Sequence, residues 1–273
     1  MPRAVSTWSL HRTLGNFIAP DSSVTGGRSK DLPATAGISL LELPAQLAAH
    51  GYDTLHLCHF HLASREAAYL ASVRAALDEH GIALDTFLID DGDLTAADAD
   101  RHEAWYGEWL DVAAALGAQR ARIGAGRSAP TPALLAASGE RLARLAASHP
   151  EVRVVTENWL EMTPNADAVL AVLDAAGEGV GLLIDLGNWS GASKYDDLAK
   201  LAPRAETCHA KCHFTAAGPD ADDFRRSLAV LQDAGFDGPL ALIYDGPDAD
   251  EWAGLDREWE IVTDVFASET VSA

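Results

Sequence analysis

Positive charge is scarce in this chain. It has 20 Lys and Arg residues against 41 Asp and Glu, and its formal net charge is −21 over 273 residues. Nucleic-acid backbones and anionic membrane surfaces are bound largely through basic side chains. This charge balance therefore predicts that neither nucleic acid nor a membrane is a partner.

Cysteine and long apolar runs are also scarce. The three cysteines (Cys58, Cys208 and Cys212) are an odd number, which suits a reducing compartment better than a disulfide framework. The opening segment MPRAVSTWSLHRTLG lacks the apolar centre of a signal peptide. No apolar run approaches the ~20 residues of a membrane span. We therefore expect a cytoplasmic protein.

Short apolar runs alternate with helix-like stretches along the whole chain. AVSTWSL, YDTLHLCHF and IALDTFLID are the first three of eight predicted strands, and each strand is paired with a helical pattern. Hydrophobic strands that alternate with helices build a parallel sheet covered on both faces. A doubly wound sheet would need a Gly-rich phosphate turn after its first strand, and none is present. The pattern predicts the α/β class, with residues 1–273 forming a single (β/α)8 TIM barrel and an active site at the C-terminal face of the strands.

One loop is long for a barrel. The segment PDSSVTGGRSKDLPATAG, residues 20–37, follows the first predicted strand, whereas such connections usually have ~2 to 6 residues. It lies on the predicted active-site face. A lid or substrate rim and a disordered insertion are both consistent with its composition.

Three metal-ligand residue types end successive strands. Glu157 closes VRVVTEN, Asp185 lies in VGLLIDLGN and His209 lies in AETCHAK. The C-terminal ends of parallel strands meet at one face of the barrel, where barrel enzymes carry their chemistry. Two carboxylates and an imidazole together are a ligand set for a divalent metal.

Several segments, in order and at barrel spacing, carry a family resemblance. They are AAALGAQRARIGAG, VVTEN, GLLIDLGNW, HAKCHF and SLAVLQDAGFDGPLALIYDGP. The chain resembles the sugar phosphate isomerase/epimerase superfamily with its xylose-isomerase-like TIM barrel, most strongly from about Trp105 onwards. The resemblance implies a divalent metal (Mn²⁺, Mg²⁺, Co²⁺ or Zn²⁺) held by Glu157, Asp185, His209 and a glutamate on the last strand.

The chain departs from the family pattern at two places. Ile243 stands where the last strand of the family carries its glutamate, and Asp245 follows two residues on. Side chains alternate along a strand, so Asp245 faces the same way and is the predicted fourth ligand, directly or through water. Asn188 stands where the family often has a histidine. An amide can hold a substrate hydroxyl, but it cannot take up a proton near neutral pH.

Other residues could replace the lost base. Glu157 keeps the catalytic role that the resemblance implies. His59 and His61 share a face at the end of the second strand, and His59 is the predicted substitute base because imidazole titrates near pH ~6.5. Lys211 shares the parity of His209, so it would lie beside the metal as a proton donor or an electrophile.

A further set of residues is predicted to bind substrate. Aromatic rings can stack on the apolar face of a sugar, and an arginine can hold an anionic group. Packing and pairing with neighbouring carboxylates are the alternatives for these residues. The set comprises Trp8, His11, His61, Arg122, Trp159, Asn188 and His213.

Three functions are compatible with these residues. The first is a metal-dependent isomerase or epimerase that acts on a sugar or keto-polyol. The second is a metal-assisted lyase or hydrolase, such as a dehydratase or a deglycosylating enzyme, which needs only one base and tolerates Ile243 better. The third is a non-catalytic sugar-binding relative. The expected partner is a small sugar or polyol, without phosphate because no phosphate cradle is evident, and a homo-oligomer is compatible with the sequence.

Overall fold

Eight parallel strands form a closed barrel in the computed structural model, which describes residues 2–15, 37–215 and 217–267. Each strand pairs in parallel with the next along the chain, and the first pairs with the last. The predicted α/β barrel is therefore confirmed. The strands are β1 Arg3–Ser6, β2 Thr54–Cys58, β3 Ala83–Ile89, β4 Arg120–Ile123, β5 Arg153–Glu157, β6 Gly181–Asp185, β7 Ala205–Cys212 and β8 Leu240–Tyr244.

Helices cover the outside of the barrel. Local capping signals mark several of their ends: the Thr131 side chain accepts a hydrogen bond from the Leu134 amide at the start of helix Pro132–Ser148, and Gly117 adopts a φ of 77° at the end of helix Ala99–Leu116. None of the described helices is long and apolar enough to cross a membrane. The helices are α1 His11–Leu14, α2 Leu43–Ala49, α3 Ala67–Glu79, α4 Ala99–Leu116, α5 Pro132–Ser148, α6 Ala166–Ala176, α7 Lys194–Leu201, α8 Ala221–Asp233 and α9 Glu251–Ala267.

Two strands are shorter than predicted. AVSTWSL and YDTLHLCHF were expected to be extended throughout, but the chain turns into short 3-10 helices over Thr7–Leu10 and His59–His61. The Ser6 side chain accepts a hydrogen bond from the Trp8 amide and so stabilises the first turn. The long loop of residues 20–37 lies outside the described residues, apart from Gly37.

Side chains fill the barrel interior in layers. Cys58, Phe60, Leu88, Val155 and Leu183 form a small apolar cluster inside the barrel, separate from the large core beneath the helices. Such filling makes a barrel interior a packed core and not a pore.

A buried polar layer also lies inside the barrel. His56 Nε2 is 3.0 Å from Asp85 Oδ2, and the Thr207 hydroxyl donates to the same oxygen at 3.0 Å. The His56 ring lies 5.3 Å from the ring of His209, so this layer supports the part of β7 that carries the candidate site.

Glu258 on α9 predicts a pH-dependent stability. Its side chain is fully buried, and neither carboxylate oxygen has a hydrogen-bond partner among the described residues. Burial, together with the charge of Asp245, raises the pKa of Glu258 well above its ordinary value. The folded protein therefore retains this proton at pH values where the unfolded chain has lost it, and the resulting stability is lost as the pH rises through the folded pKa.

Replacing Glu258 with glutamine tests this effect. We expect Glu258→Gln to raise the free energy of unfolding by about 1–3 kcal/mol at pH 8.5 and by much less at pH 5, because at the higher pH the carboxyl group must take up a proton or be buried ionised on folding, and glutamine need do neither. Urea unfolding at the two pH values measures the difference. Glu260→Gln, an exposed change on the same helix, is the control, and a gain that is equal at both pH values would refute the assignment.

Candidate metal centre

Three adjacent strands bring Glu157, Asp185 and His209 together. Glu157 ends β5, Asp185 ends β6, and His209 on β7 is the register partner of Asp185. All three side chains are buried, and one possible ligand atom of each lies within 4.8 Å of the others. Their spacing results from the parallel pairing, because neighbouring strands place residues of the same parity side by side on the inner face.

The two carboxylates converge on one nitrogen of His209. Its Nδ1 lies 3.2 Å from Glu157 Oε1 and 3.6 Å from Asp185 Oδ2. Asp185 Oδ1 accepts hydrogen bonds from the backbone amides of Gly187 and Asn188, both at 2.7 Å, which directs Oδ2 towards the histidine. Two carboxylates this close in a buried site require a proton or a cation between them.

The side chain of Asn158 fixes the strand ends that carry the carboxylates. Its Nδ2 donates to the Asp185 carbonyl at 2.9 Å, and its Oδ1 accepts from the Asp185 amide at 2.7 Å. This pair of hydrogen bonds locks the end of β6 to the residue that follows β5. These hydrogen bonds to the backbone therefore fix the positions of Glu157 and Asp185 relative to each other.

The electrostatics of the centre favour a cation. Burial alone would lower the pKa of His209, but the Glu157 charge and the hydrogen bond to Asp185 outweigh it and raise the pKa. Burial alone would raise the pKa of Asp185, but His209 and the Lys211 charge outweigh it and lower the pKa. Oxygen and imidazole donors suit Mn²⁺, Mg²⁺, Co²⁺ or Zn²⁺, and such an ion would displace the imidazole proton on binding.

Arg122 on β4 joins Glu157 to a third carboxylate, that of Asp90. The Arg122 Nη2 donates to Asp90 Oδ1 at 2.7 Å, Nη1 donates to the Ile89 carbonyl at 3.2 Å, and Nε lies 3.0 Å from Glu157 Oε2. Its guanidinium carbon also lies 4.7 Å from the centre of the Trp159 ring. Arg122 is therefore held by protein groups on every side.

A cavity of about 50 Å³ opens over this centre at the mouth of the barrel. The Asn188 side chain donates to Glu157 Oε1 at 3.1 Å at the edge of this space. Five of the residues predicted to bind substrate or take part in catalysis line it in addition to the three candidate ligands. The complete lining is Trp8, Leu88, Asp90, Arg122, Glu157, Trp159, Asp185, Asn188, His209, Lys211 and Ile243.

The histidines predicted near the metal lie outside this lining. His59 is fully buried behind Asp90, accepts a hydrogen bond from the Asp90 amide at 3.2 Å, and packs edge-on against Trp109. His61 Nδ1 lies 2.8 Å from the Thr7 hydroxyl, and its Nε2 lies 3.3 Å from His11 Nδ1. The turn after β2 separates His59 from His61, because residues in a 3-10 helix do not alternate as they do in a strand.

Two further predicted residues lie at the rim. His213 follows the end of β7 and is exposed. The Asp245 side chain is 52% exposed, with Oδ2 3.9 Å from Lys211 Nζ. Ile243 is the β8 residue that faces the cavity.

Asp90 ends the run IALDTFLID, a position that favours a turn or a helix cap and that is also compatible with binding a substrate hydroxyl. In the structure it lines the cavity and pairs with Arg122. Its place at the C-terminal end of a barrel strand was the available signal. The second signal was Arg122, the third residue of β4.

The barrel, with its polar cluster at the C-terminal ends of β5, β6 and β7, belongs to the class of (β/α)8 barrel proteins. The family model described as the xylose isomerase-like TIM barrel matches residues 44–260, and the chain belongs to this family. No curated protein matches the chain.

Solved structures share the fold at low sequence identity. A xylose isomerase domain protein from Planctomyces limnophilus is 19% identical, with a TM-score of 0.66 over 85% of this chain and 92% of that one. The probable 3-DHS dehydratase AsbF from Bacillus anthracis is 15% identical, with a TM-score of 0.67 over 96% and 99%. A D-allulose 3-epimerase from Methylomonas sp. is 16% identical, with a TM-score of 0.65 over 83% and 91%.

Proposed function

We propose that this protein is a metal-dependent enzyme that moves a proton beside a carbonyl of a sugar or keto-polyol, as an isomerase or epimerase. The observation that carries the proposal is the buried cluster of Glu157, Asp185 and His209 beneath an open cavity. A divalent ion bound by these three residues would supply a Lewis acid for the carbonyl and its neighbouring hydroxyl. The epimerases and the dehydratase among the structural neighbours are consistent with such chemistry.

Glu157 is the proposed base. Arg122 and Asn188 contact its two oxygens, so the carboxylate has one fixed orientation at the floor of the cavity. Fixed orientation is what general-base catalysis needs, because proton transfer requires hydrogen-bond distance to the substrate carbon. Lys211 is the proposed electrophile, since its ammonium group can pair with a negative oxygen, either one that the substrate carries or one that forms when the proton leaves.

Two aromatic side chains complete the substrate site. Trp8 from the turn after β1 and Trp159 from the loop after β5 both line the cavity. Indole rings bind the C–H faces of sugars and exclude water from the reacting carbon. The proposed substrate is therefore a small polyhydroxylated molecule.

Elimination by a lyase is the second candidate, and the composition of the lining favours it. Among the cavity-lining residues, Asp90 is paired with Arg122, and Asp185 accepts two backbone hydrogen bonds. Ile243 presents an apolar side chain from β8, so the described lining holds no β8 carboxylate that could act as a second base beside Glu157. Inversion at carbon commonly uses two bases on opposite faces, whereas elimination beside a carbonyl uses one.

Exchange of substrate hydrogen with solvent distinguishes these reactions. Mn²⁺-loaded protein is incubated in D2O with a panel of ketohexoses, ketopentoses and keto-polyols, and the products are followed by NMR. Deuterium incorporation with an epimeric product supports the isomerase, and deuterium with an unsaturated product supports the lyase. Glu157→Gln should abolish the exchange and the exposed Glu161→Gln should not. Exchange that persists in Glu157→Gln would overturn the assigned base.

A further inference from the structure

Among the described residues, one arginine and one lysine line the cavity, and the lysine is the one available to a ligand. Arg122 is occupied by Asp90, Glu157 and a backbone carbonyl. Among the described carboxylates, that of Asp245 lies within ion-pair distance of the Lys211 ammonium group, at 3.9 Å, and it is half exposed at the rim. An exposed ion pair at this distance is weak, because water screens it.

The course of the Lys211 side chain is built into the fold. Lys211 follows His209 by two residues on β7, so both side chains leave the strand on the inner face. A Cβ atom at Gly187 would lie 2.7 Å from Lys211 Cγ. The absence of a side chain at Gly187 therefore provides the space in which Lys211 passes the end of β6 towards the cavity.

On the neighbouring strand, Lys211 lies beside an apolar side chain. Its register partner on β8 is Ile243, which is buried and lines the cavity. Asp245, the next residue of the same parity, lies beyond the end of β8. An ammonium group beside an apolar wall fits a ligand with a negative oxygen on a carbon skeleton.

The ion pairs among the lining residues also leave Lys211 available to an anionic ligand. Asp90 and Glu157 pair with Arg122, and Glu157 and Asp185 contact His209. The Lys211 ammonium group makes no ion pair with another described lining residue, and its charge acts on Asp185 only at longer range. Buried and half-buried charges need a partner, and here a ligand is the group that can supply it.

We propose that Lys211 forms an anion subsite, and that the substrate is a sugar acid or a related polyhydroxy carboxylate whose carboxylate pairs with this lysine. The subsite deepens the proposed function and rests on it, since the same cavity must hold the reacting carbon near Glu157. Asp245 pairs with Lys211 when the subsite is empty, and the carboxylate of the ligand displaces Asp245 when it binds.

Matched pairs of aldonates and alditols test the subsite. Glycerate and glycerol, and the longer pairs up to gluconate and sorbitol, differ at one end by a carboxylate in place of a hydroxymethyl group. Calorimetric titration of Mn²⁺-loaded protein should give at least one chain length at which the acid binds about tenfold more tightly, equivalent to about 1.4 kcal/mol. Lys211→Met should reduce this preference to less than about threefold. Asp245→Asn should strengthen binding of the acid, because a competing carboxylate is removed.

Three results would overturn the subsite. They are equal binding of acid and alditol at every length, no binding of any acid, and a preference that persists in Lys211→Met, since the carboxylate would then lie elsewhere, for example on the metal. Mn²⁺ titration of the same samples separates this failure from failure of the proposed function. If wild type and Lys211→Met both bind one Mn²⁺ and the preference is absent, only the subsite is refuted. If wild type binds no Mn²⁺, the proposed function is refuted.

Discussion

Asp185→Asn should remove the metal and the activity together. Asp185 provides one of the three proposed ligands, and its Oδ2 faces His209. Asparagine keeps an acceptor for the amides of Gly187 and Asn188, so the loop after β6 should retain its shape. The loss of one charged ligand should weaken Mn²⁺ binding by more than the ~10- to 100-fold typical of residues that only support a ligand.

The measurement is a Mn²⁺ titration of metal-free protein, paired with the solvent-exchange assay. We expect at least a 100-fold weaker affinity and loss of exchange in Asp185→Asn. Asp196→Asn, an exposed change on α7, should behave as wild type. Wild-type affinity in Asp185→Asn would show that this carboxylate does not bind the ion.

Asp245→Ala examines the predicted fourth ligand. Two outcomes are informative: loss of Mn²⁺ would assign Asp245 to the metal, whereas retained Mn²⁺ shows that it is not an essential ligand. The contact between Asp245 and Lys211, and the exposure of Asp245 at the rim, lead us to expect retained metal. The same preparation should bind carboxylate ligands more tightly, because the competing carboxylate of Asp245 is removed.

Arg122→Met should be the most destabilising single change at the site. It leaves the buried carboxylates of Asp90 and Glu157 without their shared cation. Removing one partner of a buried ion pair costs about 3–5 kcal/mol, because the remaining charge is neither solvated nor compensated. Burial would lower the pKa of Arg122, but these two carboxylates outweigh it and raise the pKa, so the arginine stays charged.

Urea unfolding measures this cost, and a double-mutant cycle assigns its origin. Asp90→Asn in the Arg122→Met background should recover part of the lost stability, since one uncompensated charge is then removed. Arg101→Met, an exposed change on α4, should alter the free energy of unfolding by less than about 0.5 kcal/mol. Additive effects of Arg122→Met and Asp90→Asn would contradict the proposed coupling.

The barrel was predictable because hydrophobic periodicity reports burial directly. The strand ends were less predictable at Thr7 and at His59, where a side-chain hydrogen bond or a tight turn, and not β propensity, decides where extension stops. These turns matter for the site. They place Trp8 at the cavity, and they place His59 behind Asp90.

The positions of the residues at the metal centre were also only partly predictable from the sequence. Glu157, Asp185 and His209 meet because each lies at or near the C-terminal end of its strand with the same parity, which the sequence displays. The pairing of Arg122 with Asp90 and Glu157 depends on which rotamers fit in the packed interior, and local sequence does not encode that choice. Asp245 has the parity expected of a ligand, but β8 ends at Tyr244, so its side chain lies at the rim.

Anomalous diffraction from crystals grown with Mn²⁺ tests the metal centre most directly. We predict one strong anomalous peak per chain, from an Mn²⁺ ion bound by Glu157, Asp185 and His209 at the mouth of the barrel. The absence of a peak there at saturating Mn²⁺, or a peak bound by other residues, would contradict the proposed metal site and the function built on it.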